Sequence, residues 1–167
     1  MILVAIGANL PDPSGRPALA TCLWAVGRLA GLAPIEAVSR WYRTAPVPAS
    51  DQPDYINGVV RLHGSGHPHA LLAALHAIEA EAGRLRGALN AARPLDLDLL
   101  AVDDLVIEDA VILPHPRLAQ RAFVLAPLCD VAAQWTHPVL RQTAATLLAQ
   151  ADQTGISLAD PQSVAYL

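Results

Sequence analysis

Cysteine is scarce in this sequence: its 167 residues include only Cys22 and Cys129. Two cysteines at this separation indicate neither a disulfide framework nor a metal-binding cluster. Cys22 lies at helical spacing with Leu19, Leu23 and Val26, so we expect a buried, reduced thiol in the core. Cysteine therefore predicts no crosslink and no metal site in this chain.

Long apolar runs and an excess of positive charge are also missing. No segment reaches the roughly 18 uninterrupted apolar residues typical of a membrane span. The apolar run 1–6 lacks a basic flank and ends at Gly7. A run of this length is too short for a signal sequence. The net charge of −4 gives no basic surface for a nucleic-acid duplex. We therefore expect a cytoplasmic protein that binds neither membranes nor nucleic acid.

What the sequence does contain is apolar residues, at 53% of the chain. That fraction excludes a disordered protein, and the length allows a sizeable core. We expect one domain over residues 1–167, with a loosely packed tail after about residue 155, acting as a monomer.

Apolar periodicity predicts alternating strands and helices. The predicted strands cover 2–6, 35–43, 55–62 and a run ending near 102; the predicted helices cover 19–29, 68–81, 116–121 and 142–150. A hairpin pairs 105–107 with 111–113, and loops cover 44–53 and 84–93. The leading order of strand, helix, strand, strand, helix, strand is that of the ferredoxin-like plan. We therefore predict an α+β fold, with helices covering an antiparallel sheet in a three-layer α/β/α arrangement.

The most informative feature is a pair of aspartates, Asp96 and Asp98, in an otherwise apolar strand. Alternate side chains of a strand point to opposite faces, so the two carboxylates share a face roughly 7 Å apart. Carboxylates in such a setting are costly without positive charge, and Mg²⁺ is a natural partner that also binds phosphate. The pair therefore indicates phosphate chemistry. The alternative is an edge strand whose aspartates lie in water.

Three arginines, Arg84, Arg86 and Arg93, occupy the small-residue loop just before this strand. Guanidinium groups match phosphate oxygens, and such a loop can close over a nucleotide and exclude water. A metal at the aspartates would clamp the phosphates and lower the pKa of an acceptor hydroxyl. The alternative is a loop of solvated arginines.

Five further residues are candidates, each with a structural alternative. Glu79 lies one turn before the arginine loop and could orient an arginine or contact the nucleotide. Tyr55 and Asn57 share a strand face, where an amide beside an aromatic plane suits a flat heterocycle. His115 lies between two prolines and could donate to a phosphate. Phe123, the only phenylalanine, is interpreted as a core residue.

Taken together, these residues lie in segments that resemble the 6-hydroxymethyl-7,8-dihydropterin pyrophosphokinase family of folate synthesis. The segments occur in family order and cover the chain from its start to about residue 140. They are 6–10, 42–46, 51–57, 79 with 83–86, 93–99, 113–116 and 121–128.

The resemblance implies transfer of pyrophosphate from ATP to the pterin hydroxymethyl group, with release of AMP. It implies that Asp96 and Asp98 hold two Mg²⁺ ions and that Arg84 and Arg93 assist the transfer. The implied ATP contacts are Glu79, Arg86, His115 and Arg121. The implied pterin-site residues are Gly7, Thr44, Ala45, Val47, Tyr55, Asn57 and Phe123, in which Phe123 stacks on the ring instead of filling the core.

One departure from the family keeps alternatives open. The loop between Arg86 and Arg93 lacks an Arg-Trp pair, and residues 90 and 91 stand in that region. This favours a non-catalytic ferredoxin-like module that binds pterin or nucleotide. A further alternative is a transferase that uses the Asp-x-Asp pair for a metal–nucleotide-sugar. Pterin-dependent AMP formation distinguishes the three.

Overall fold

The computed structural model describes residues 1–46, 51–84 and 93–159. The elements in chain order are β1 (Ile2–Ala8), α1 (Ala18–Leu29), β2 (Ile35–Val38), β3 (Tyr42–Thr44), β4 (Tyr55–Leu62), α2 (Pro68–Glu81), β5 (Asp96–Val102), β6 (Ile107–Glu108), β7 (Ile112–Leu113), a 3₁₀ turn (Leu118–Gln120), α3 (Ala122–Ala132), α4 (Ala144–Gln150) and β8 (Ile156–Leu158). The predicted combination of helices with an antiparallel sheet is confirmed.

The main sheet has the strand order β5-β1-β4-β3-β8, and β2 also pairs with β4. Strand β1 is antiparallel to both of its neighbours, β4 and β5. A separate ribbon of β6 and β7 forms the predicted hairpin. The sheet therefore brings the start of the chain between the strand that carries Asn57 and the strand that carries Asp96.

Helices pack against both faces of this sheet. Ile2, Val4 and Ile6 of β1 share one buried cluster with α1 and α2, through side chains such as Leu29 and Leu75. Residues of the opposite face join α3 and α4 in a second cluster, which includes Leu3, Leu100, Leu125, Leu128 and Leu147. The two-residue period of the strands divides the apolar residues between the two clusters.

The predicted strand 35–43 is interrupted. Val38 pairs with Val60 and Tyr42 pairs with Asn57, so residues 39–41 lie opposite only two residues of β4. The backbone N–H of Arg40 donates to Asp130 of α3 at 3.1 Å instead of joining the ladder. Thr44, which was expected in the following loop, is the last residue of β3.

Two elements have no counterpart in the sequence prediction. Helix α3 is apolar almost throughout and contains Pro127, so it shows no amphipathic period and carries a residue that usually breaks helices. Strand β8 pairs with β3, and the N–H of Ala159 beyond it donates to the Trp41 carbonyl at 2.9 Å. The helix predicted over 116–121 is a single 3₁₀ turn.

Both cysteines are free thiols. Cys22 is fully buried in the cluster with α1, as predicted, and burial raises the pKa of its thiol. Within the described ranges, every helix is too short or too polar to cross a bilayer.

Candidate active site

Gly7 of β1 lies between the two strands that carry the principal candidate residues. It is in register with Asp96 on β5 and with Asn57 on β4. Ala5, two residues earlier on the same face, is in register with Asp98. Because Gly7 has no side chain and Ala5 only a methyl group, the middle of the sheet forms a low floor between the carboxylates and the amide.

This floor belongs to a cleft with about 330 Å³ of empty space, part of it open to solvent. Residues predicted for both substrates meet there, because strands β1, β4 and β5 and the start of α3 all contribute to its walls. The lining residues are Ala5, Ile6, Gly7, Asn57, Gly58, Asp96, Asp98, Arg121, Phe123 and Val124. Four lining residues were not predicted for the site: Ala5, Ile6, Gly58 and Val124. Of these, only Ala5 has a local signal, because it is a small residue two positions before Gly7 and so shares its strand face.

Asp96 is surrounded by positive charge. Its Oδ1 atom accepts hydrogen bonds from Arg84 Nη1 at 2.7 Å and from Arg93 Nη1 at 3.1 Å. The same Arg84 nitrogen also pairs with Glu79, a carboxylate that is only 4% exposed. Glu79 accepts a further hydrogen bond from the Leu97 N–H at 2.7 Å. Glu79 therefore binds both Arg84 and the backbone at the start of β5. Its expected roles, orienting an arginine or contacting the nucleotide, stay predictions.

A helix-ending turn delivers Arg84 to this position. Helix α2 ends at Glu81, and Gly83 follows with φ +80°, the left-handed conformation that glycine adopts readily. The Gly83 N–H then donates to the Ala80 carbonyl and the Arg84 N–H to the Glu79 carbonyl, the pattern of a Schellman motif. Pro13 packs directly on Gly83, since a Cβ there would lie 2.2 Å from Pro13 Cγ.

The electrostatics of the carboxylates favour a bound cation. The pKa of Asp96 is raised, first by burial and then by the negative charge of Asp98, while Arg93 and Arg84 oppose the shift. The pKa of Glu79 is also raised, chiefly by burial. Strand β5 does lie at one end of the sheet, as the alternative reading required. Its aspartates nevertheless face the cleft and the arginines instead of standing alone in water.

His115 and Arg121 approach from the C-terminal half of the chain. His115 Nε2 lies 3.8 Å from Asp98 Oδ2, and its Nδ1 accepts the Arg117 N–H at 3.2 Å. That acceptor role leaves the proton of a neutral imidazole on Nε2, facing the carboxylate. Burial lowers the pKa of His115, and the pKa of Arg121 is likewise lowered, mainly by burial. Both groups could donate to a phosphate near Asp98.

The residues predicted for the pterin fall into two groups. Asn57 is buried and donates from Nδ2 to Thr44 Oγ1 at 2.9 Å, and Phe123 lines the cleft beneath the Arg121 guanidinium, 5.4 Å from its ring centre. Tyr55 donates its hydroxyl to Gln52 at 3.3 Å and is not among the residues that line the cleft. Ala45 follows β3 and is exposed. Val47, Arg86 and the loop positions 90 and 91 lie outside the described residues.

The donor set at this site fits Mg²⁺. Asp96 and Asp98 supply carboxylate oxygens, the ligands of a hard cation, and Mg²⁺ needs only one or two of them when phosphate and water complete its shell. The described part of the chain contains no cluster of three or more His, Cys, Asp or Glu side chains suited to a metal. Burial first, and then the negative charge of Asp98, raise the pKa of Asp96, and a bound cation would favour the ionised carboxylate.

The cleft combines paired carboxylates with converging arginines, and beside them lie the Asn57 amide and the Phe123 ring. These are the features of an enzyme of phosphate transfer. The sequence model of the 7,8-dihydro-6-hydroxymethylpterin-pyrophosphokinase (HPPK) family matches residues 3–133. The chain belongs to this family and is thus a pyrophosphokinase of folate biosynthesis, which confirms the resemblance noted in the sequence.

Individual relatives agree with this assignment. A 2-amino-4-hydroxy-6-hydroxymethyldihydropteridine pyrophosphokinase of Synechocystis is 39% identical over 157 residues, which cover 92% of this chain and 77% of that protein. The protein of that name from Pseudomonas aeruginosa is 39% identical over 132 residues, covering 78% of this chain and 80% of its own. By contrast, the chain spans only 21% of the folic acid synthesis protein fol1 of Schizosaccharomyces pombe.

The fold is also similar to solved structures. The crystal structure of wild-type Plasmodium falciparum HPPK-DHPS matches with a TM-score of 0.65 over 89% of this chain and 44% of that chain. The sequence identity is 13%, so this likeness supports the fold alone.

Proposed function

We propose that this chain transfers the β,γ-pyrophosphoryl group of ATP to the hydroxymethyl oxygen of 6-hydroxymethyl-7,8-dihydropterin. The observation that carries the proposal is the register of Gly7. Gly7 pairs with Asp96, whose carboxylate suits a cation, on one side and with the buried amide Asn57 on the other. Two inter-strand spacings separate Asp96 from Asn57, a distance of about 10 Å. A pterin against Asn57 would thus place its hydroxymethyl arm towards phosphates held at Asp96.

For the nucleotide half of the site, we propose that Asp96 and Asp98 hold two Mg²⁺ ions. The ions would neutralise phosphate charge and lower the pKa of the acceptor hydroxyl. Arg84 and Arg93, already at Asp96, would meet the charge that develops on the transferred phosphate oxygens. We assign ATP contacts to Glu79, His115 and Arg121, and to Arg86 on the family resemblance alone.

The bond changes are those of one in-line displacement. The acceptor oxygen forms a bond to the β-phosphorus of ATP while the bond from that phosphorus to the α–β bridging oxygen breaks. The bridging oxygen leaves with AMP, and the hydroxyl proton is released to solvent. The arginine pair and the His115 Nε2–H would surround the region in which this charge moves, and the partial burial of their side chains would strengthen their interactions with phosphate.

For the pterin half, we propose that Asn57 recognises the amide-like edge of the ring and that Phe123 stacks on one face. The Thr44 hydroxyl accepts from Asn57 Nδ2 and so orients the amide. Gly7 leaves space for the ring above the floor of the cleft. Tyr55, Ala45 and Val47 complete the proposed pocket, partly through backbone groups.

We also propose the ferredoxin-like, three-layer α/β/α arrangement for the whole domain. It is supported by the order β5-β1-β4-β3 and by helices on both sheet faces. Because a single chain supplies candidate residues for both substrates, such as Asp96 and Asn57, we propose a monomer as the active form.

The test is AMP release from ATP and Mg²⁺, measured with and without the hydroxymethyldihydropterin. Pterin-dependent AMP at a rate above that of Asp98→Asn supports the proposal. Asp104→Asn, at an exposed position outside the cleft, is the matched control and should leave the rate unchanged. Pterin binding without AMP would instead indicate the non-catalytic module, and dependence on a sugar nucleotide would indicate the sugar transferase.

A further inference from the structure

Asn9 is a buried polar residue that the proposed mechanism does not use. It follows β1 directly, two residues after Gly7, and is only 3% exposed. Burying a side-chain amide destabilises the folded state unless the amide forms hydrogen bonds within the protein. The partners of this amide therefore indicate what it is for.

The two ends of the Asn9 side chain bind different parts of the site. Oδ1 accepts the backbone N–H of Arg93 at 3.1 Å, and the Asn9 N–H donates to the Arg93 carbonyl at 3.3 Å. Nδ2 donates to the Pro53 carbonyl at 3.3 Å and to Gln52 Oε1 at 3.2 Å. A backbone N–H can only donate and a backbone carbonyl can only accept, so Arg93 and Pro53 fix which end of the amide is which.

These partners belong to the two halves of the proposed site. Arg93 carries the guanidinium that lies 3.1 Å from Asp96, on the phosphate side. Pro53 and Gln52 precede Tyr55 and the strand that carries Asn57, on the pterin side. Gln52 Oε1 also accepts the Tyr55 hydroxyl at 3.3 Å, so the Asn9 contact extends to the start of β4.

We infer that Asn9 is a positioning residue that fixes Arg93 and the 52–53 segment relative to each other. It contacts neither of the proposed reacting groups. Through its acceptor end it holds the backbone of Arg93 and so the approach of that guanidinium to Asp96. Through its donor end it holds the segment leading into the pterin pocket. The inference rests on the proposed function, because its two halves are defined by the two substrates.

The two ends of the amide can be separated by substitution. Asn9→Asp preserves the size of the side chain and an acceptor for the Arg93 N–H, but a carboxylate cannot donate to the Pro53 carbonyl. We expect the pterin KM and Kd to rise about tenfold, the scale of one or two lost hydrogen bonds, with a smaller change in kcat. Asn9→Ala releases both ends, so kcat should fall about tenfold as well.

Two further variants guard against effects of a buried charge or of general destabilisation. Gln52→Ala removes one of the two acceptors of Asn9 Nδ2 and also the acceptor of the Tyr55 hydroxyl. The Pro53 carbonyl still holds the Asn9 amide, so the pterin KM should rise less than in Asn9→Asp, with kcat unchanged. Gln134→Ala removes an exposed side-chain amide and should change neither parameter. Melting temperatures of all variants are measured by calorimetry.

The outcomes distinguish this inference from the proposed function. If Asn9→Ala lowers the melting temperature but leaves pterin KM, pterin Kd and kcat within twofold, Asn9 is only a structural residue and the inference is wrong. If the wild type binds pterin but makes no AMP, the proposed function fails, while the Kd series still decides the pterin half of the inference. A wild type that binds no pterin overturns both.

Discussion

Arg84 lies 2.7 Å from Asp96, with Nη1 donating to Oδ1, and the backbone turn at Gly83 holds it there. The ion pair therefore depends on the end of a helix, and it compensates part of the negative charge on β5. Asp98 adds a second carboxylate on the same face, and its negative charge is, after burial, the second cause of the raised pKa of Asp96.

The first prediction concerns the two carboxylates. Asp96→Asn and Asp98→Asn should each lower kcat/KM for AMP formation by at least about 100-fold, because a metal at such a site supplies several kcal/mol to the transition state. Calorimetric titration of Mg²⁺ with nucleotide should show weaker uptake in both variants. Asp104→Asn serves as the control, and a wild-type rate in either cleft variant would rule out the metal assignment.

The second prediction separates binding from turnover. Arg93→Ala should lower kcat by at least about tenfold while changing the ATP affinity less, since its charge is needed most when the phosphate oxygens gain charge. Steady-state kinetics and equilibrium binding of a non-hydrolysable ATP analogue measure the two effects. Arg28→Ala removes an exposed arginine that pairs with Glu81 at 2.9 Å and should change neither. Equal losses in affinity and kcat would contradict the assignment.

Local periodicity explains which parts of the site were predictable from the sequence. The alternation of a strand is sufficient to place Asp96 and Asp98 on one face and to place Asn57 opposite the apolar row of β4. A glycine after a helical pattern likewise predicts the turn at Gly83. In each case the information lies within a few residues of the position concerned.

Features that depend on distant residues could not be found in this way. The role of Asn9 depends on Arg93, 84 positions later in the chain. Strand β8 is stabilised by pairing with β3, and helix α3 is stabilised by burial against the sheet. Neither element is therefore marked by a pattern in its own sequence. Phe123 illustrates the same limit: alone it reads as a core residue, whereas the family resemblance implies stacking on the pterin ring. In the structure it both packs against the second core cluster and lines the cleft.

The third prediction tests a close contact beneath the cleft. A Cβ at Gly58 would lie 2.5 Å from Cζ3 and 2.7 Å from Cε3 of the Trp41 indole. Gly58→Ala should therefore destabilise the fold by about 1–3 kcal/mol through overpacking. Trp41→Phe removes the benzo ring that the new methyl meets, so the double variant should recover part of that loss. Urea unfolding of all four proteins measures the coupling, and strictly additive effects would contradict the contact.

The fourth prediction concerns the proposed stacking of the pterin on Phe123. Phe123→Leu keeps an apolar side chain but removes the ring, and should raise the pterin KM about threefold to tenfold, the scale of an aromatic pair. Phe123→Tyr retains the ring plane and is the matched control. Pterin titration in the presence of a non-hydrolysable ATP analogue measures the affinity directly. Equal affinities in the leucine and tyrosine variants would exclude stacking.

The fifth prediction concerns stability and pH. His137 is buried and lies in the segment that joins α3 to α4, where its Nδ1 accepts the N–H groups of Val139 at 3.3 Å and Leu140 at 3.2 Å. Burial lowers its pKa below the ordinary value of 6.5, so the folded state favours the neutral ring. An unfolded chain then binds the proton more tightly than the folded one. The stability that His137 contributes is therefore complete above pH 6.5 and is lost as the pH falls through the folded pKa.

The variant His137→Asn offers an amide oxygen to the same two N–H groups but does not titrate, so it isolates the effect of the proton. The free energy of unfolding of the wild type should decrease more between pH 7.5 and pH 5 than that of His137→Asn, as measured by urea unfolding at each pH. His67→Asn, which replaces an exposed histidine, should retain the pH dependence of the wild type. Parallel curves for the wild type and His137→Asn would show that this imidazole does not couple folding to pH, because a lowered pKa in the folded state requires the two curves to diverge as the pH falls.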